Sequence, residues 1–266
     1  MKSLVSIKTL IVICFLMNMH HIDAQTKNKQ YQGSMWFRYN TNIQLPKKYL
    51  IKAELEERFF ISKAVKQQQF LFRFTLDKQL KNNWNIGGGF SMWCVGTNDE
   101  LNTSTLQIPE WRPHIEFNNR QKIKEKLSIN HRIRAEWRFI KNTNKEFTET
   151  IDGYTNNFRF RYQITIDYAV YKKDEKALHL IVFDEVMLNA GKSIQRNIFD
   201  QNRIGFSARY IFNKNVGVEL GYINWFQQRP SGLDFFNRQI LRFTLQTNFN
   251  IHKKEKKTKE TNISKI

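Results

Sequence analysis

Charged side chains at every second position of several segments are the residues of this sequence that could do chemistry. In residues 127–140, for example, Arg132, Arg134, Glu136 and Arg138 alternate with apolar side chains. Such side chains could pair with one another and fill a narrow interior, or form a basic ladder that selects anionic solutes. The pattern leaves both interpretations open. The charged candidates for lining such an interior are Glu54, Glu56, Arg58, Arg73, Arg112, Glu116, Arg132, Arg134, Glu136, Arg138, Arg159, Arg161, Arg203, Arg209, Glu219 and Arg242.

Serine and histidine are the residues from which a lipid hydrolase would build its nucleophile and base. The candidates are His131 near Ser128, and His179. Ser128 and His131 are three positions apart, so in a strand they face opposite sides and cannot pair. His179 has no serine at a recognisable neighbouring position. We therefore assign no catalytic residue, and no cluster at metal-ligand spacing or cofactor motif is recognised.

The elements that must position these residues are β-strands. A period of two, with one apolar and one charged face, is typical of a strand, and it recurs along the chain. The predicted strands are residues 33–44, 49–60, 70–77, 84–92, 111–120, 127–140, 158–168, 177–188, 203–212, 216–222 and 239–251.

The first residues resemble a secretory signal peptide. Lys2 and Lys8 precede the apolar run 9–17, and Ala24 supplies a small residue before a cut at Gln25. The apolar run is too short to span a bilayer. We predict a cleaved signal at 1–24, one domain at 25–251 and a disordered basic tail at 252–266.

Amphipathic strands behind an export signal favour a single antiparallel transmembrane β-barrel of ten to twelve strands. The apolar faces would meet lipid and the charged faces would line the lumen, which agrees with the low mean hydropathy of −0.58. From the third strand onward, short and long connections alternate, as in outer-membrane barrels. The pattern gives eleven segments, but single-chain bacterial barrels use even numbers, so we expect ten or twelve. A secreted soluble β-sandwich that binds a ligand is the alternative.

The net charge of +19 limits the partners. Basic chains often bind nucleic acid, but here arginines alternate with aromatics along strands instead of forming one patch, so we expect no nucleic-acid partner. Outer-membrane lipid, lipopolysaccharide phosphates and anionic solutes are the expected partners, together with the barrel-assembly machinery. Cys94 is the one cysteine left after Cys14 is removed, which excludes an intrachain disulfide.

The aromatic residues have two interpretations. A girdle at the membrane interfaces is predicted for Trp36, Trp84, Trp111, Trp137, Trp225 and Tyr49. Any that face inward, such as Trp36, could instead be stacking platforms for sugars.

Three features carry a resemblance to a known family. They are the early strand Trp36-Phe37-Arg38-Tyr39, the following segment 49–59, and the repeated strands in which arginine alternates with aromatics. Over nearly all of the mature chain, the sequence resembles an uncharacterised family of Gram-negative outer-membrane barrels, domain of unknown function 2490. The family has no established activity, so the resemblance implies no catalytic residue. We predict a bacterial outer-membrane barrel without enzymatic activity, either a narrow channel for small anionic solutes or a structural component; a lipid-modifying hydrolase is the alternative.

Overall fold

Strands make up most of the described chain. The computed structural model describes residues 28–62, 65–191, 198–229 and 232–251. A short 3₁₀ turn, Pro46–Lys48, joins the first two strands. No helix among these residues is long and apolar enough to cross a membrane. The strands are β1 (Lys29–Gln44), β2 (Tyr49–Phe60), β3 (Lys66–Gln79), β4 (Trp84–Val95), β5 (Ile108–Lys122), β6 (Leu127–Thr143), β7 (Thr150–Lys173), β8 (Lys176–Ala190), β9 (Phe199–Asn213), β10 (Val216–Gln228) and β11 (Phe235–Asn250).

The strands close into one barrel through an unusual last pair. Each strand is antiparallel to the next along the chain, but β1 pairs with β11 in parallel, from Lys29 opposite Phe235 to Gln44 opposite Asn250. Antiparallel neighbours alternate in direction, so an odd number of strands leaves the first and last parallel. The closed all-β barrel is confirmed. The range of ten to twelve strands is also confirmed, but the preference for an even number in a purely antiparallel sheet is wrong, because the described residues form eleven strands that match the eleven predicted segments.

The apolar faces of the strands point out of the barrel. In β6, Ile133 is 49% exposed, whereas its neighbour Arg134 is 4% exposed. In β9, Phe206 is 60% exposed, whereas Ser207 is 4% exposed. A soluble β-sandwich would bury its apolar rows and leave the charged rows in water. That alternative is therefore wrong, and the apolar exterior is that of a membrane-spanning barrel.

The two ends of the barrel differ in their connections. Short connections lie at one end, here called the short-turn end, and longer ones lie at the other, the long-loop end. β1 begins at the long-loop end and β11 ends at the short-turn end, because the two run in parallel. The short connections are 45–48, 80–83, 123–126, 174–175 and 214–215, and the longer ones are 61–65, 96–107, 144–149, 191–198 and 229–234.

Some predicted boundaries differ from the structure. The segment 141–157, predicted as a loop, is mostly strand, because the β6–β7 ladder continues to Thr143 opposite Thr150. The side chains of residues 150–156 are exposed on both faces, so no alternation of apolar and polar side chains marks this extension. The predicted signal peptide 1–24 and the tail 252–266 lie outside the described residues and stay predictions.

Candidate functional site

A cavity of about 210 Å³ lies inside the barrel, and arginine dominates its lining. Ten arginines and four glutamates line it, and three of these arginines pair with carboxylates just behind the lining, Glu110, Glu136 and Asp200, so ten positive side chains are matched by seven negative ones. A site with this balance attracts anions. The lining charges are Arg38, Arg58, Arg73, Arg112, Arg132, Arg159, Arg161, Arg203, Arg209, Arg242, Glu54, Glu56, Glu185 and Glu219.

Strand period and register bring these charges together. Residues two apart on a strand face the same side, which turns Arg159 and Arg161 of β7 inward. In the β6–β7 ladder, Arg134 stands opposite Arg161 and Glu136 stands opposite Arg159. The same alternation on the other strands places their arginine side chains along the inner wall.

Glu219 is a carboxylate that several arginines share. One of its oxygens accepts a hydrogen bond from Nε of Arg209 at 2.9 Å, and the other accepts one from Nη2 of Arg242 at 3.1 Å. Arg38 lies 3.8 Å from the same carboxylate. Three cations thus share one anion, which leaves positive charge uncompensated beside the cavity.

Glu185 and Glu136 are shared in the same way on strands β6 to β8. Glu185 accepts hydrogen bonds from Nη2 of Arg132 at 2.7 Å and of Arg161 at 2.8 Å. Glu136 accepts one from Nη1 of Arg161 at 2.7 Å and lies 3.7 Å from Arg134. The β6–β8 wall is therefore a connected network of ion pairs.

Through Arg134, the same network continues across the lumen towards the short-turn end. Lys52 of β2 forms ion pairs with Asp77 of β3, at 2.7 Å, and with Glu116 of β5. Glu116 is 0% exposed and also binds Arg134 of β6, at 2.5 Å. Because β2 and β5 are not neighbours in the sheet, the Lys52–Glu116 contact must span the interior.

A neighbouring cavity of about 140 Å³ continues the polar interior. It shares Glu54, Arg73 and Arg132 with the larger cavity, so the two adjoin. It also shares Asn42 with a cavity of about 540 Å³ that is lined by β1, β2, β11 and the short connection 214–215. Polar side chains therefore line the interior from the arginine cavity towards the short-turn end.

The structure brings together most of the charged residues chosen from the sequence. Arg134 lines the smaller cavity, and all the others line the larger one except Glu116, Glu136 and Arg138. Those three are held in ion pairs beside the cavities; Arg138, for example, binds Glu110.

Sequence reasoning missed several charged residues for identifiable reasons. Glu110 and Arg238 fell in predicted loops, but the structure places them on β5 and β11. Glu185 lies on β8, whose two faces are both largely apolar, so its register could not be chosen. Arg38 had the correct parity on β1 and was omitted from the candidates.

One wall of the larger cavity is apolar. It is formed in part by Ile181, Phe183 and Met187 of β8, which point inward and are at most 7% exposed. Phe183 lies across Gly205 of β9, where a Cβ atom would lie 2.5 Å from Cε1 of Phe183. Ile223 of β10 completes this wall. Gly205 thus makes room for an aromatic ring inside the barrel.

Tryptophans and arginines stack at the edge of this wall. The rings of Trp36 and Trp225 meet edge to face with centroids 5.7 Å apart. Cζ of Arg203 lies 4.5 Å from the centroid of Trp225 and 5.3 Å from that of Trp36. Cζ of Arg58 lies 3.8 Å from the ring centroid of Trp36 and 5.0 Å from that of Trp93, a buried tryptophan outside the predicted girdle set.

The tryptophans therefore divide into two groups. The girdle interpretation is wrong for Trp36 and Trp225, which are 1% and 2% exposed inside the barrel. On both strands, the charged residues identify the inward face, and each tryptophan lies on that face. Trp84, Trp111, Trp137 and Tyr49 are 37–44% exposed on the outer face, where a girdle requires them.

The β4–β5 connection, residues 96–107, folds over the long-loop end. The main-chain oxygen of Asn98 accepts hydrogen bonds from Nε2 of Gln32 at 3.0 Å and Nη2 of Arg238 at 3.2 Å. Glu100 is 2% exposed and accepts a hydrogen bond from Ser62 at 2.6 Å. The connection therefore narrows the mouth at this end.

The histidines were considered as catalytic bases. Contrary to the sequence analysis, His179 does have a nearby serine: Ser128, Asp167 and His179 line one cavity of about 430 Å³ at the short-turn end. Nδ1 of His179 lies 2.5 Å from Asp167, but Oγ of Ser128 is hydrogen-bonded to Arg120. Asp167, rather than the histidine, lies between the other two, so the arrangement lacks the serine–histidine contact of a hydrolase.

His131 lies on the outer face. Its Nδ1 is 2.9 Å from the hydroxyl of Tyr162, which is 45% exposed, and the two rings stack. Ser128 and His131 thus face opposite sides of β6, as their spacing predicts. Within the described ranges, no three His, Cys, Asp or Glu side chains are grouped to hold a metal ion.

Comparisons with known proteins give a family and a distant likeness of fold. The family model described as "Protein of unknown function (DUF2490)" matches residues 33–237. A solved structure titled "NanC porin structure in rhombohedral crystal form" is 10% identical, with a TM-score of 0.41, and covers 77% of this chain and 92% of that chain. No curated protein matches. The family match covers the strands on which the resemblance rested, except for most of the last one, β11.

Proposed function

Because the chain belongs to the DUF2490 family, whose function is unknown, we propose its role from the geometry of its lumen. The protein is a non-enzymatic β-barrel of the bacterial outer membrane that passes small anionic solutes. The observation that carries this proposal is the excess of arginine around the internal cavity, ten guanidinium groups to seven carboxylates when the acidic partners Glu110, Glu136 and Asp200 are included. Charged rings of one sign select permeant ions of the opposite sign.

The apolar exterior supports the location. In hydrocarbon every backbone polar group needs an internal partner, and a closed barrel provides one for every strand. The exposed Phe, Tyr, Ile and Leu rows supply the lipid contact, with lipopolysaccharide around the long-loop end. By the usual orientation of such barrels, the short turns face the periplasm. Insertion would use the barrel-assembly machinery.

The rim at the short-turn end supports anion entry from that side. Lysines outnumber acidic residues in and beside the short connections, so the rim is positively charged. A charged mouth raises the local concentration of ions of the opposite sign. The rim lysines are Lys47, Lys48, Lys81, Lys122, Lys124, Lys126, Lys172, Lys173, Lys176 and Lys214, against Glu125, Asp174 and Glu175.

Planar-bilayer recording under a potassium chloride gradient tests the proposal. We expect the reversal potential to lie towards that of chloride. A double variant, Arg38→Gln with Arg203→Gln, should lower the chloride-to-potassium permeability ratio. These two substitutions leave no buried carboxylate without a cationic partner. Glu219 still binds Arg209 and Arg242, and Arg203 forms no ion pair with the described residues. Orphaned buried charges, which would unfold the barrel, are thereby avoided.

Lys145→Gln is the matched control, because it removes one positive charge from an exposed loop outside the cavities. It should leave the permeability ratio unchanged. A potassium-selective wild type, or a double variant as selective as the control, would overturn the anion path. A folded barrel that carries no current would instead support a structural role.

A further inference from the structure

We infer that the larger cavity binds a small organic anion with an apolar ring, an aromatic or alicyclic monocarboxylate, and that Arg203 holds its charge. This inference deepens the proposed anion path and rests on it for how the ligand reaches the cavity. Binding itself can be measured without conduction.

Arg203 differs from the other arginines around the cavity. Its Nη2 donates to Oε1 of Gln201 at 3.1 Å, and its guanidinium group stacks on two tryptophans. In the described part of the chain, no carboxylate forms an ion pair with it. Arg203 is thus a cation placed by stacking, so its charge remains available to an anion from outside.

Several buried N–H groups on residues that line the cavity have no protein acceptor. Within the described ranges these are Nε1 of Trp36 and Nε of Arg73, Arg132, Arg203 and Arg242, all on residues that line the cavity. Trp36 is 1% exposed. A buried donor without an acceptor is unfavourable. Because every one of these groups is a donor, the complementary ligand is rich in acceptors, as a carboxylate is.

The apolar wall specifies the other part of the ligand. Ile181, Phe183, Met187 and Ile223 face the same space as the guanidinium groups, next to the ring of Trp36. A hydrated inorganic anion has no apolar surface to place against these side chains. A ring packed against them leaves water, and the transfer of its own apolar surface stabilises binding. A ligand with both a carboxylate and a ring uses both parts of the lining.

The volume sets the size of the ligand. A protein cavity of about 150 Å³ is known to hold benzene, and a water molecule occupies about 30 Å³. The cavity of about 210 Å³ therefore accommodates one six-membered ring with a carboxylate group. A second ring would not fit without movement of the wall.

Equilibrium dialysis of the full-length protein in detergent tests the inference. The probes are benzoate and cyclohexanecarboxylate, with acetate, which lacks a ring, and benzyl alcohol, which lacks the charge, as comparisons. We expect both ring carboxylates to bind. Acetate and benzyl alcohol should bind at least about tenfold more weakly, because each lacks one of the two groups that the site contacts.

Three variants locate the charge. Arg203→Gln should weaken benzoate binding by about tenfold or more, since hydrogen bonds to charged groups contribute that much. Arg203→Lys keeps the charge but not the planar stacking, so it should bind with intermediate affinity. Lys145→Gln should bind benzoate as the wild type does. Heat-modifiable gel mobility shows that each variant keeps the barrel.

The outcomes separate this inference from the proposed function. Equal affinity for benzoate and acetate, or an Arg203→Gln variant that binds benzoate as the wild type does, would overturn the inference even if chloride still permeates. Benzoate binding that depends on Arg203, in a barrel that passes no chloride, would support the site and overturn the channel.

Discussion

The main-chain oxygen of Asn98 lies 3.2 Å from Nη2 of Arg238, and this hydrogen bond ties the β4–β5 connection to the last strand. The connection starts four strands away from β11 in the closed sheet, so it reaches across much of the long-loop mouth. The short-turn end has no comparable crossing segment among the described residues. Access to the arginine cavity is therefore asymmetric.

Shortening this connection should widen the path. If residues 98–106 are replaced by a short Gly-Ser linker, the single-channel conductance should rise, because the mouth loses its crossing segment. Shortening the connection 144–149 is the control, since its residues 145–149 are exposed. Unchanged conductance in the first variant would mean that the narrowest point lies elsewhere in the lumen.

Glu116→Gln should destabilise the barrel. Glu116 is fully buried and pairs with both Lys52 and Arg134, although Lys52 keeps Asp77 and Arg134 keeps Glu136 after the change. Loss of a hydrogen bond to a charged group costs about 1.5–3 kcal/mol. Urea unfolding in phospholipid vesicles measures the loss. Glu125→Gln, in an exposed turn, should change stability by no more than about 0.5 kcal/mol; equal effects would contradict the network.

Gly205→Ala should be costly because its Cβ would meet the ring of Phe183 and the main-chain oxygen of Tyr222, 2.9 Å away. Overpacking of this kind typically costs about 1–3 kcal/mol. Gly88→Ala is the matched control, since a Cβ there meets nothing closer than 4.0 Å. Combining Gly205→Ala with Phe183→Leu should recover part of the loss in urea titrations. Equal stabilities for the two alanine variants would refute the close packing.

Phe206→Arg tests the lipid-facing surface. Phe206 is 60% exposed near the middle of β9, and a cation at the bilayer midplane costs about 2–4 kcal/mol. Tyr49→Arg, beside the short turn at the start of β2, should cost about 0–1 kcal/mol, as expected near an interface. Folding free energies in vesicles give both values. A position-independent cost would argue against a bilayer around these strands.

Much of this fold could be predicted from the sequence, because a lipid-facing row and a polar row differ in composition. In β6, the alternation of apolar and charged residues, such as Ile133 and Arg134, identifies the outward and inward faces. Where the interior is itself apolar, the contrast disappears: in β8, Phe183 points inward and Val182 points outward, and the pattern gives no register. The inward apolar wall was therefore not predictable from alternation alone.

The strand number shows another limit. The alternation pattern predicts eleven strands, as observed. The expectation of ten or twelve came from the rule that single-chain bacterial barrels have an even number of strands. A barrel with an odd number of strands closes through a parallel pair, here β1 and β11. This ladder joins residues that are far apart in the chain, such as Lys29 and Phe235. Similarly, Arg203 and Trp36 are brought together only by closure, so their stacking could not be inferred from spacing.

Thiol labelling at two adjacent positions tests the central claim, a lipid-facing exterior around an anion-attracting lumen, most directly. Asn40 lines the smaller cavity, whereas Tyr39 has the opposite parity on β1. In a Cys94→Ser background in vesicles, Asn40→Cys should react faster with an anionic sulfonatoethyl thiosulfonate than with the cationic trimethylammonium analogue. Tyr39→Cys should react little with either reagent. Faster labelling of Asn40→Cys by the cation, or ready labelling of Tyr39→Cys, would contradict the account.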